Sequence, residues 1–213
     1  MDAAAFPAEK PALGVIILGA GASSRMGRPK LLLPWGKTTI IGQLIEQWQV
    51  LGAAQIAVVC RPGDWELAAE LDRLNFPAQA RVENPQPERG MFSSILCAAN
   101  WTGWLADLVA WAIVLGDQPH LRPDTLPALL AFQREHPDAI CQPVYAGHAR
   151  HPVLLPRRAF EELKDSRAKS LKDFLKQTSC PVVKRSIDDA GLALDLDRPE
   201  DYEKAFKFHL SNL

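Results

Sequence analysis

The chain has 213 residues, of which 47% are hydrophobic and 23% are charged, and this composition excludes disordered, collagen-like and coiled-coil proteins. Lys and Arg number 24 against 25 Asp and Glu, so the formal charge of −1 leaves no broadly basic surface for a nucleic acid. The four cysteines, Cys60, Cys97, Cys141 and Cys180, are far apart and form no C-x-x-C pair, which favours a reduced, cytoplasmic location.

The N-terminal region has neither a signal peptide pattern nor a membrane segment. Residues 1–12 combine acids with prolines and predict a flexible leader, and residues 13–213 are expected to form a single domain. The apolar run at residues 14–22 has about half of the ~20 residues that a membrane-spanning helix needs, so we expect no membrane contact.

From residue 14 onward, the hydrophobic pattern predicts alternating strands and helices. Residues 14–18 form a short apolar run typical of a strand covered on both faces, and Thr38 or Thr39 is expected to cap a helix that ends near Gly52. Further strands are expected at residues 55–60, 80–83, 108–115, 139–143, 152–155 and 192–196. Further helices are expected at residues 64–74, 92–101, 123–135, 158–163, 170–177 and 199–208. This alternation predicts a Rossmann-like, three-layer α/β/α fold, with helices on both faces of a mostly parallel sheet.

The loop after the first strand, residues 19–30, contains three glycines, two serines and three cations. In such folds ligands bind beyond the carboxyl ends of the strands, and glycines allow backbone N–H groups to approach a phosphate closely. Arg25 and Lys30 would supply positive charge to phosphate oxygens. The loop therefore predicts nucleotide binding, and a solvated surface turn is the alternative.

Two familiar glycine motifs fit this loop poorly. A P-loop needs one residue fewer between Gly21 and Gly27 and a lysine where Arg28 stands. An NAD(P)-binding oxidoreductase would need glycine in place of Ser24 and an acid in place of Arg61. The oxidoreductase is thus disfavoured as an alternative function.

Acidic residues near the ends of two expected strands are candidate Mg²⁺ ligands. Asp117 follows the buried pattern at residues 108–115, where one aspartate and the phosphates of a substrate could hold Mg²⁺. Asp195 and Asp197 are spaced to lie on one face of the expected last strand. The alternatives are a turn-capping aspartate and a helix N-terminus enriched in acids.

Residues 18–30, Leu-Gly-Ala-Gly-Ala-Ser-Ser-Arg-Met-Gly-Arg-Pro-Lys, resemble the signature L-x-x-G-x-S-x-R-M-G-x-x-K of nucleotidyltransferases that act in molybdenum cofactor maturation. Residues 29–36, Pro-Lys-Leu-Leu-Leu-Pro-Trp-Gly, are similar to the cytidylyltransferase branch of that family. Further similar blocks follow in the family's order at Asn84, 90–91, 93–94, 115–119, 151–152 and 195–202.

The resemblance implies a fold of the nucleotide-diphospho-sugar transferase type and Mg²⁺-dependent transfer of CMP from CTP to molybdenum-bearing molybdopterin. It implies catalytic roles for Arg25, Lys30 and Asp117. It implies metal binding by Asp117 and by Asp195, ranked ahead of Asp197. The implied nucleotide-binding residues are Leu18, Gly19, Ala20, Gly21, Ala22, Ser23, Ser24, Arg25, Lys30, Asn84 and Ser94.

On the acceptor side, the resemblance implies contacts from Gln118, Arg150 and His151, and transient contact with a molybdenum insertase or a recipient molybdoenzyme. Ala20 favours CTP over GTP, because family members that use cytidine tend to have alanine at that position. The remaining alternatives are a GTP-using enzyme, a transferase for a sugar or polyol phosphate, and a noncatalytic cofactor carrier. Asp117 together with Lys30 argues against the carrier, which needs no metal-assisted leaving group.

Overall fold

The computed structural model describes residues 12–21 and 26–212, so most of the expected leader and residues 22–25 of the first loop lie outside the described residues. The strands within this part are β1 (Leu13–Leu18), β2 (Pro34–Trp35), β3 (Thr38–Thr39), β4 (Gln55–Cys60), β5 (Arg81–Glu83), β6 (Ala110–Leu115), β7 (Ile140–Tyr145), β8 (His148–Ala149), β9 (Val153–Pro156) and β10 (Val182–Ser186). The α-helices are α1 (Ile40–Val50), α2 (Trp65–Arg73), α3 (Met91–Ala99), α4 (Thr125–Glu135), α5 (Arg157–Lys164), α6 (Leu171–Gln177) and α7 (Pro199–Leu210).

The main sheet is mostly parallel, as the sequence predicts. Its strand order is β10-β7-β9-β6-β1-β4-β5, with β8 paired to β7, and β2 and β3 form a separate hairpin. Parallel pairs join β1 to β4 and β6, β4 to β5, and β7 to β10. β9 runs antiparallel to both of its neighbours, β6 and β7. The carboxyl ends of β1 and β6 therefore lie side by side at one edge.

Helices cover both faces of this sheet, which confirms the three-layer architecture. Alternation along β1 sends Val15 and Ile17 into one apolar cluster and Ile16 into the other. The first cluster receives the buried side chains of α1, α2, α4 and α7, and the second receives those of α3, α5 and α6. Because β1 is buried on both faces, its sequence is continuously apolar.

The expected last strand at residues 192–196 is wrong. Residues Ala190–Ala193 form a 3-10 turn, and an irregular segment leads from there to α7. Asp189 fixes this turn, because its buried carboxylate accepts hydrogen bonds from Gly191 N and Thr125 Oγ1. In this segment Leu192 and Leu196 are buried, Leu194 is half-buried and Asp195 is exposed, so burial does not follow the period of two that a strand would show. The last strand is β10, at one end of the strand order, and it was not predicted because its Lys184 and Arg185 interrupt any apolar run.

Within the described residues, every helix is too short or too polar to cross a lipid bilayer.

Candidate active site

A cleft of about 280 Å³ opens where β1 and β6 end, and it is called the β1–β6 cleft below. It is lined by Leu18, Gly19, Ala20, Gly21, Lys30, Leu31, Pro87, Gly90, Met91, Ser94, Leu115, Gly116 and Asp117. The structure thus brings together the first-loop residues 18–21, Lys30, Ser94 and Asp117. The expected contacts Ala22, Ser23, Ser24 and Arg25 lie outside the described residues.

Two glycines allow the backbone to pack closely at the floor of this cleft. A Cβ at Gly19 would lie 2.8 Å from the Val59 carbonyl oxygen, and a Cβ at Gly116 would lie 2.6 Å from that of Leu18. Leu31 closes over both positions, since its methyl carbons would lie 3.2 Å and 2.9 Å from these two Cβ atoms. Glycine at both positions therefore lets the turn that holds Lys30 pack directly on the strand ends.

Lys30 and Asp117 form an ion pair in the β1–β6 cleft. Lys30 begins a 3-10 turn, and its Nζ donates a hydrogen bond of 2.7 Å to Asp117 Oδ2. The two side chains are only 17% and 15% exposed, so solvent screens their attraction less than at an open surface. A cation and a carboxylate thus stand together at the carboxyl end of β6.

The carboxylate of Asp195 interacts electrostatically with Asp117 and with its chain neighbour Asp197. Although Asp195 is exposed, its carboxylate is partly shielded from water, and this desolvation raises its pKa above 3.8. The negative charges of Asp117 and Asp197 raise this pKa further, against the opposing effect of Arg150 and Lys30. Crowding of like charges means that a bound cation would relieve repulsion here.

These carboxylates fit a Mg²⁺ ion that shares its ligands with a substrate. Among the described residues, no three His, Cys, Asp or Glu side chains converge to form a preformed metal cage. Mg²⁺ takes one or two protein carboxylates, keeps several waters and completes its shell with phosphate oxygens. The expected common strand face for Asp195 and Asp197 is wrong because residues 194–197 are irregular, so Asp117 and Asp195 are the candidate members of such a partial ligand set.

Asn84 organises the loop opposite the first glycines. Its side chain is 1% exposed and does not line the cleft. Its Nδ2 donates to Ser93 Oγ at 2.9 Å and to Ser94 Oγ at 3.0 Å, and its Oδ1 accepts from Gln86 N at 2.9 Å. Asn84 is therefore buried outside the cleft and positions Ser94, which lines the cleft, through a hydrogen bond.

The three expected acceptor residues occupy different places. Gln118 is 4% exposed, and its Nε2 donates to the Leu192 carbonyl oxygen at 3.4 Å, away from the β1–β6 cleft. His151 Nδ1 lies 3.4 Å from the Ile113 carbonyl oxygen, and burial lowers its pKa against the opposing effects of that carbonyl and of Asp117. Charge interactions link Arg150 to Asp195 and His151 to Asp117, so both residues lie within electrostatic range of the candidate metal ligands.

A second cleft of about 850 Å³, called the basic cleft below, adjoins the first, and Met91 lines both. Its walls include Arg150 and His151 together with Lys172, Lys176 and Lys184. These three lysines were not among the predicted site residues. The spacing of Lys172 and Lys176 on α6 places them on one helix face and was a usable signal, but Lys184 lies on the strand that was not foreseen.

The sequence matches one family model over most of its length. Residues 15–182 match the MobA-like NTP transferase domain. The chain belongs to this family. The chain is therefore a nucleotidyltransferase. The β1–β6 cleft, in which glycines, a lysine and an aspartate lie at the ends of parallel strands, is consistent with this activity.

Two curated relatives span nearly the whole length. The molybdenum cofactor cytidylyltransferase of Escherichia coli strain K12 is 24% identical over 192 residues, which cover 90% of this chain and 94% of that protein. The molybdenum cofactor guanylyltransferase of Mesorhizobium japonicum is 28% identical over 200 residues, which cover 89% and 92%. The MobA-like chain thus resembles enzymes named for both nucleotides.

Solved structures share the fold. A nucleotidyl transferase from Methanothermobacter has a TM-score of 0.74 and 18% identity, with 95% of this chain and 99% of that chain covered. A Mycobacterium tuberculosis protein in complex with manganese has a TM-score of 0.68 and 23% identity, with 92% and 98% covered. The expected nucleotidyltransferase-type α/β fold is therefore confirmed.

Proposed function

We propose that this MobA-like protein transfers CMP from CTP to the phosphate of molybdenum-bearing molybdopterin, releasing pyrophosphate and forming molybdopterin cytosine dinucleotide. The main support for the proposal is the Lys30–Asp117 ion pair in a cleft with glycines at its floor. This pair places a cation for the phosphates next to a carboxylate that could bind a metal ion. The names of the Escherichia coli and Mesorhizobium relatives support the acceptor class.

The reaction needs positioning and charge neutralisation more than a protein nucleophile. An oxygen of the acceptor phosphate forms a bond to the α-phosphorus of CTP, while the bond from that phosphorus to the bridging oxygen of the β-phosphate breaks. The electrons of that bond leave with pyrophosphate. Lys30, freed from Asp117, donates to an oxygen of the leaving pyrophosphate, and Arg25 adds a second positive charge.

Asp117 and Asp195 are the residues that would hold Mg²⁺, with Asp195 ahead of Asp197. When bound, Mg²⁺ neutralises the triphosphate and polarises the phosphoryl group under attack. The charge of Asp117 and Asp197 on Asp195 supports this assignment, because like charges so close favour a cation between them. The manganese complex of the Mycobacterium tuberculosis protein supports a divalent ion in this fold.

The nucleotide would lie along residues 18–24, with backbone amides toward its phosphates and Ser94 on the opposite wall. Ala20 is 6% exposed and lines the β1–β6 cleft, where we place the base. Its alanine supports CTP. GTP is the second candidate, because the Mesorhizobium relative is named a guanylyltransferase.

The acceptor would enter from the basic cleft, where Arg150 and His151 lie within electrostatic range of the candidate metal ligands. Arg150 would bind the attacking phosphate, and His151 would contact the pterin portion. Gln118 is a positioning residue in this scheme, since its hydrogen bond reaches the segment that leads to Asp195.

The test is to incubate the protein with Mg²⁺, molybdenum-bearing molybdopterin and each of the four NTPs, and to identify products by mass. We expect the cytosine dinucleotide and pyrophosphate with CTP. If only a guanine dinucleotide forms, the nucleotide substrate is GTP and the assignment of CTP is wrong. If no dinucleotide forms and a sugar or polyol phosphate is nucleotidylated instead, the proposed acceptor is wrong.

A further inference from the structure

The basic cleft is the larger of the two adjoining clefts, and it is assembled from segments far apart in the sequence. The β7–β8 hairpin supplies Gln142 and residues 147–151, α6 supplies one face of its short helix, and β10 supplies Val182 and Lys184. Lys184 pairs in register with Gln142, so the two lie on adjacent strands. A volume of about 850 Å³ lies within the range typical of small-molecule sites.

The lining of this cleft is strongly one-sided in charge. Arg150, Lys172, Lys176 and Lys184 contribute four permanent cations, whereas Asp and Glu contribute no lining residue. In the described part of the chain, none of the three lysines lies within ion-pair distance of a carboxylate. The whole chain is nearly neutral, so this concentration of charge is local.

The four cations divide into two groups. Arg150 forms the first group by itself: its charge interacts with Asp195, and its buried Nε has no hydrogen-bond acceptor among the described residues. Lys172 and Lys176 lie one turn apart on α6, and Lys184 lies on the edge strand β10. One phosphate monoester brings a charge of about −1.5 to −2 at neutral pH, and a single such group beside Arg150 leaves the three lysines uncompensated.

Building on the proposed function, we propose that Lys172, Lys176 and Lys184 bind a second anionic group of the acceptor, separate from the phosphate that attacks. The basic cleft then selects small acceptors with two separated anionic groups over simple monophosphates. The first anion lies at Arg150, next to the β1–β6 cleft, and the second lies between α6 and β10. Concavity and continuity with the β1–β6 cleft favour a small ligand over a nucleic acid or an acidic protein.

The test uses two probes that differ by one phosphate, fructose 6-phosphate and fructose 1,6-bisphosphate. Their affinities are measured by calorimetry with the protein saturated by a nonhydrolysable CTP analogue and Mg²⁺, which keeps the probes out of the β1–β6 cleft. We expect the bisphosphate to bind about tenfold more tightly than the monophosphate. Equal affinity of the two probes for the unmodified protein would overturn the proposal.

The variant Lys172→Gln/Lys176→Gln should reduce this preference to about twofold while leaving affinity for the CTP analogue unchanged. Lys169→Gln is the matched control, because Lys169 is exposed just before α6 and does not line the cleft. The control should keep the full preference. An equal loss in both variants would show a general charge effect and contradict a site at α6 and β10.

The two proposals fail in different ways. If no NTP supports transfer but the bisphosphate preference depends on Lys172 and Lys176, the proposed reaction is wrong and the second anion site stands. If transfer occurs and the double variant keeps the acceptor KM of the unmodified enzyme, the second anion site is wrong and the reaction stands. We expect instead that the double variant raises the acceptor KM about tenfold with kcat changed less than about twofold.

Discussion

The β1–β6 cleft and the basic cleft adjoin at Met91 but manage charge in opposite ways. In the first, Lys30 already neutralises Asp117 at 2.7 Å, and both side chains are largely buried. In the second, lysines surround an open volume of about 850 Å³ without carboxylate partners in the described part of the chain. In the proposed reaction the first cleft therefore exchanges an internal ion pair for a metal and a triphosphate, and in the proposed anion site the second cleft receives an anion directly.

The largest expected effect comes from removing the carboxylate at the end of β6. Asp117→Asn should lower kcat on the order of 10³-fold, because the candidate metal loses its main protein ligand. Asp107→Asn is the control, since Asp107 is exposed just before the same strand. Pyrophosphate release measures both. Near-normal turnover of Asp117→Asn with Mg²⁺ would contradict the metal assignment.

A smaller effect is expected from breaking the ion pair on its other side. Lys30→Gln should lower turnover about 10²-fold, because the leaving pyrophosphate loses a positive charge. Without nucleotide, the same variant should bind Mn²⁺ about tenfold more tightly, since Lys30 no longer competes for Asp117. Electron paramagnetic resonance of Mn²⁺ measures this binding.

The exposed Lys37 provides the matched control, Lys37→Gln, for which both quantities should stay unchanged. A large drop of Tm in Lys30→Gln would instead identify Lys30 as a structural residue. Unchanged Mn²⁺ affinity in a folded Lys30→Gln protein would mean that Lys30 does not compete with the metal ion for Asp117, and would contradict the proposed difference between the two clefts.

A substitution at Asn84 tests whether nucleotide binding in the β1–β6 cleft depends on the buried hydrogen bonds that position Ser94. Asn84→Ala leaves Gln86 N without its acceptor and removes the donor to Ser93 and Ser94, so the free energy of unfolding should fall by about 1–3 kcal/mol. The KM for the nucleotide should rise several-fold, with a smaller change in kcat. Denaturant unfolding and steady-state kinetics measure the two effects.

Asn100→Ala is a suitable control for Asn84→Ala. Asn100 caps the other end of α3, is exposed, and donates to the Leu96 carbonyl oxygen at 3.0 Å. Its loss should destabilise the protein less and leave the nucleotide KM unchanged. An unchanged KM in Asn84→Ala would mean that Ser94 does not contact the nucleotide.

The smallest expected effect concerns the turn that leads into β10, the strand from which Val182 and Lys184 line the basic cleft. Glu162 on α5 accepts hydrogen bonds from Ser179 and Thr178, just before β10, and these bonds lower its pKa below 4.5. A lowered carboxylate pKa means that the ionised form stabilises the fold above pH 4.5 and that this stabilisation is lost as pH falls through the folded pKa. Glu162→Gln should therefore lower Tm by about 2 °C near neutral pH.

The Tm difference for Glu162→Gln should shrink in scans taken at progressively lower pH. Glu161→Gln is the control, because Glu161 pairs with Lys164 on the same helix and does not contact the turn before β10. A Tm difference that persists at low pH would assign the effect to packing instead of charge.

The two clefts also differ in how well the sequence predicts them. The glycines, Lys30 and Asp117 follow the ends of strongly apolar strands, so local patterns place them at one edge of a parallel sheet. The basic cleft depends on β10, whose polar residues resemble a loop, and on contacts between residues far apart in the sequence. Local patterns could therefore not assemble it.

Burial was the other property that sequence patterns could not supply. Asn84 lies in a recognisable loop, but its inward side chain and its two serine partners depend on tertiary packing. The alternation at residues 192–197 resembles a strand, whereas Asp189 holds the preceding turn and leaves no strand pairing there. An irregular segment can thus have the alternation of leucine and aspartate that is typical of a strand.

In the proposed reaction the acceptor phosphate attacks the α-phosphorus across the junction of the two clefts. The most direct measurement is mass analysis of the products formed from unlabelled CTP and an acceptor whose phosphate oxygens are labelled with ¹⁸O. We expect all of the label to stay in the dinucleotide, including its bridging oxygen, and the pyrophosphate to be unlabelled. Label in the released pyrophosphate, or a nucleotide-free acceptor beside free CMP, would contradict the proposed reaction.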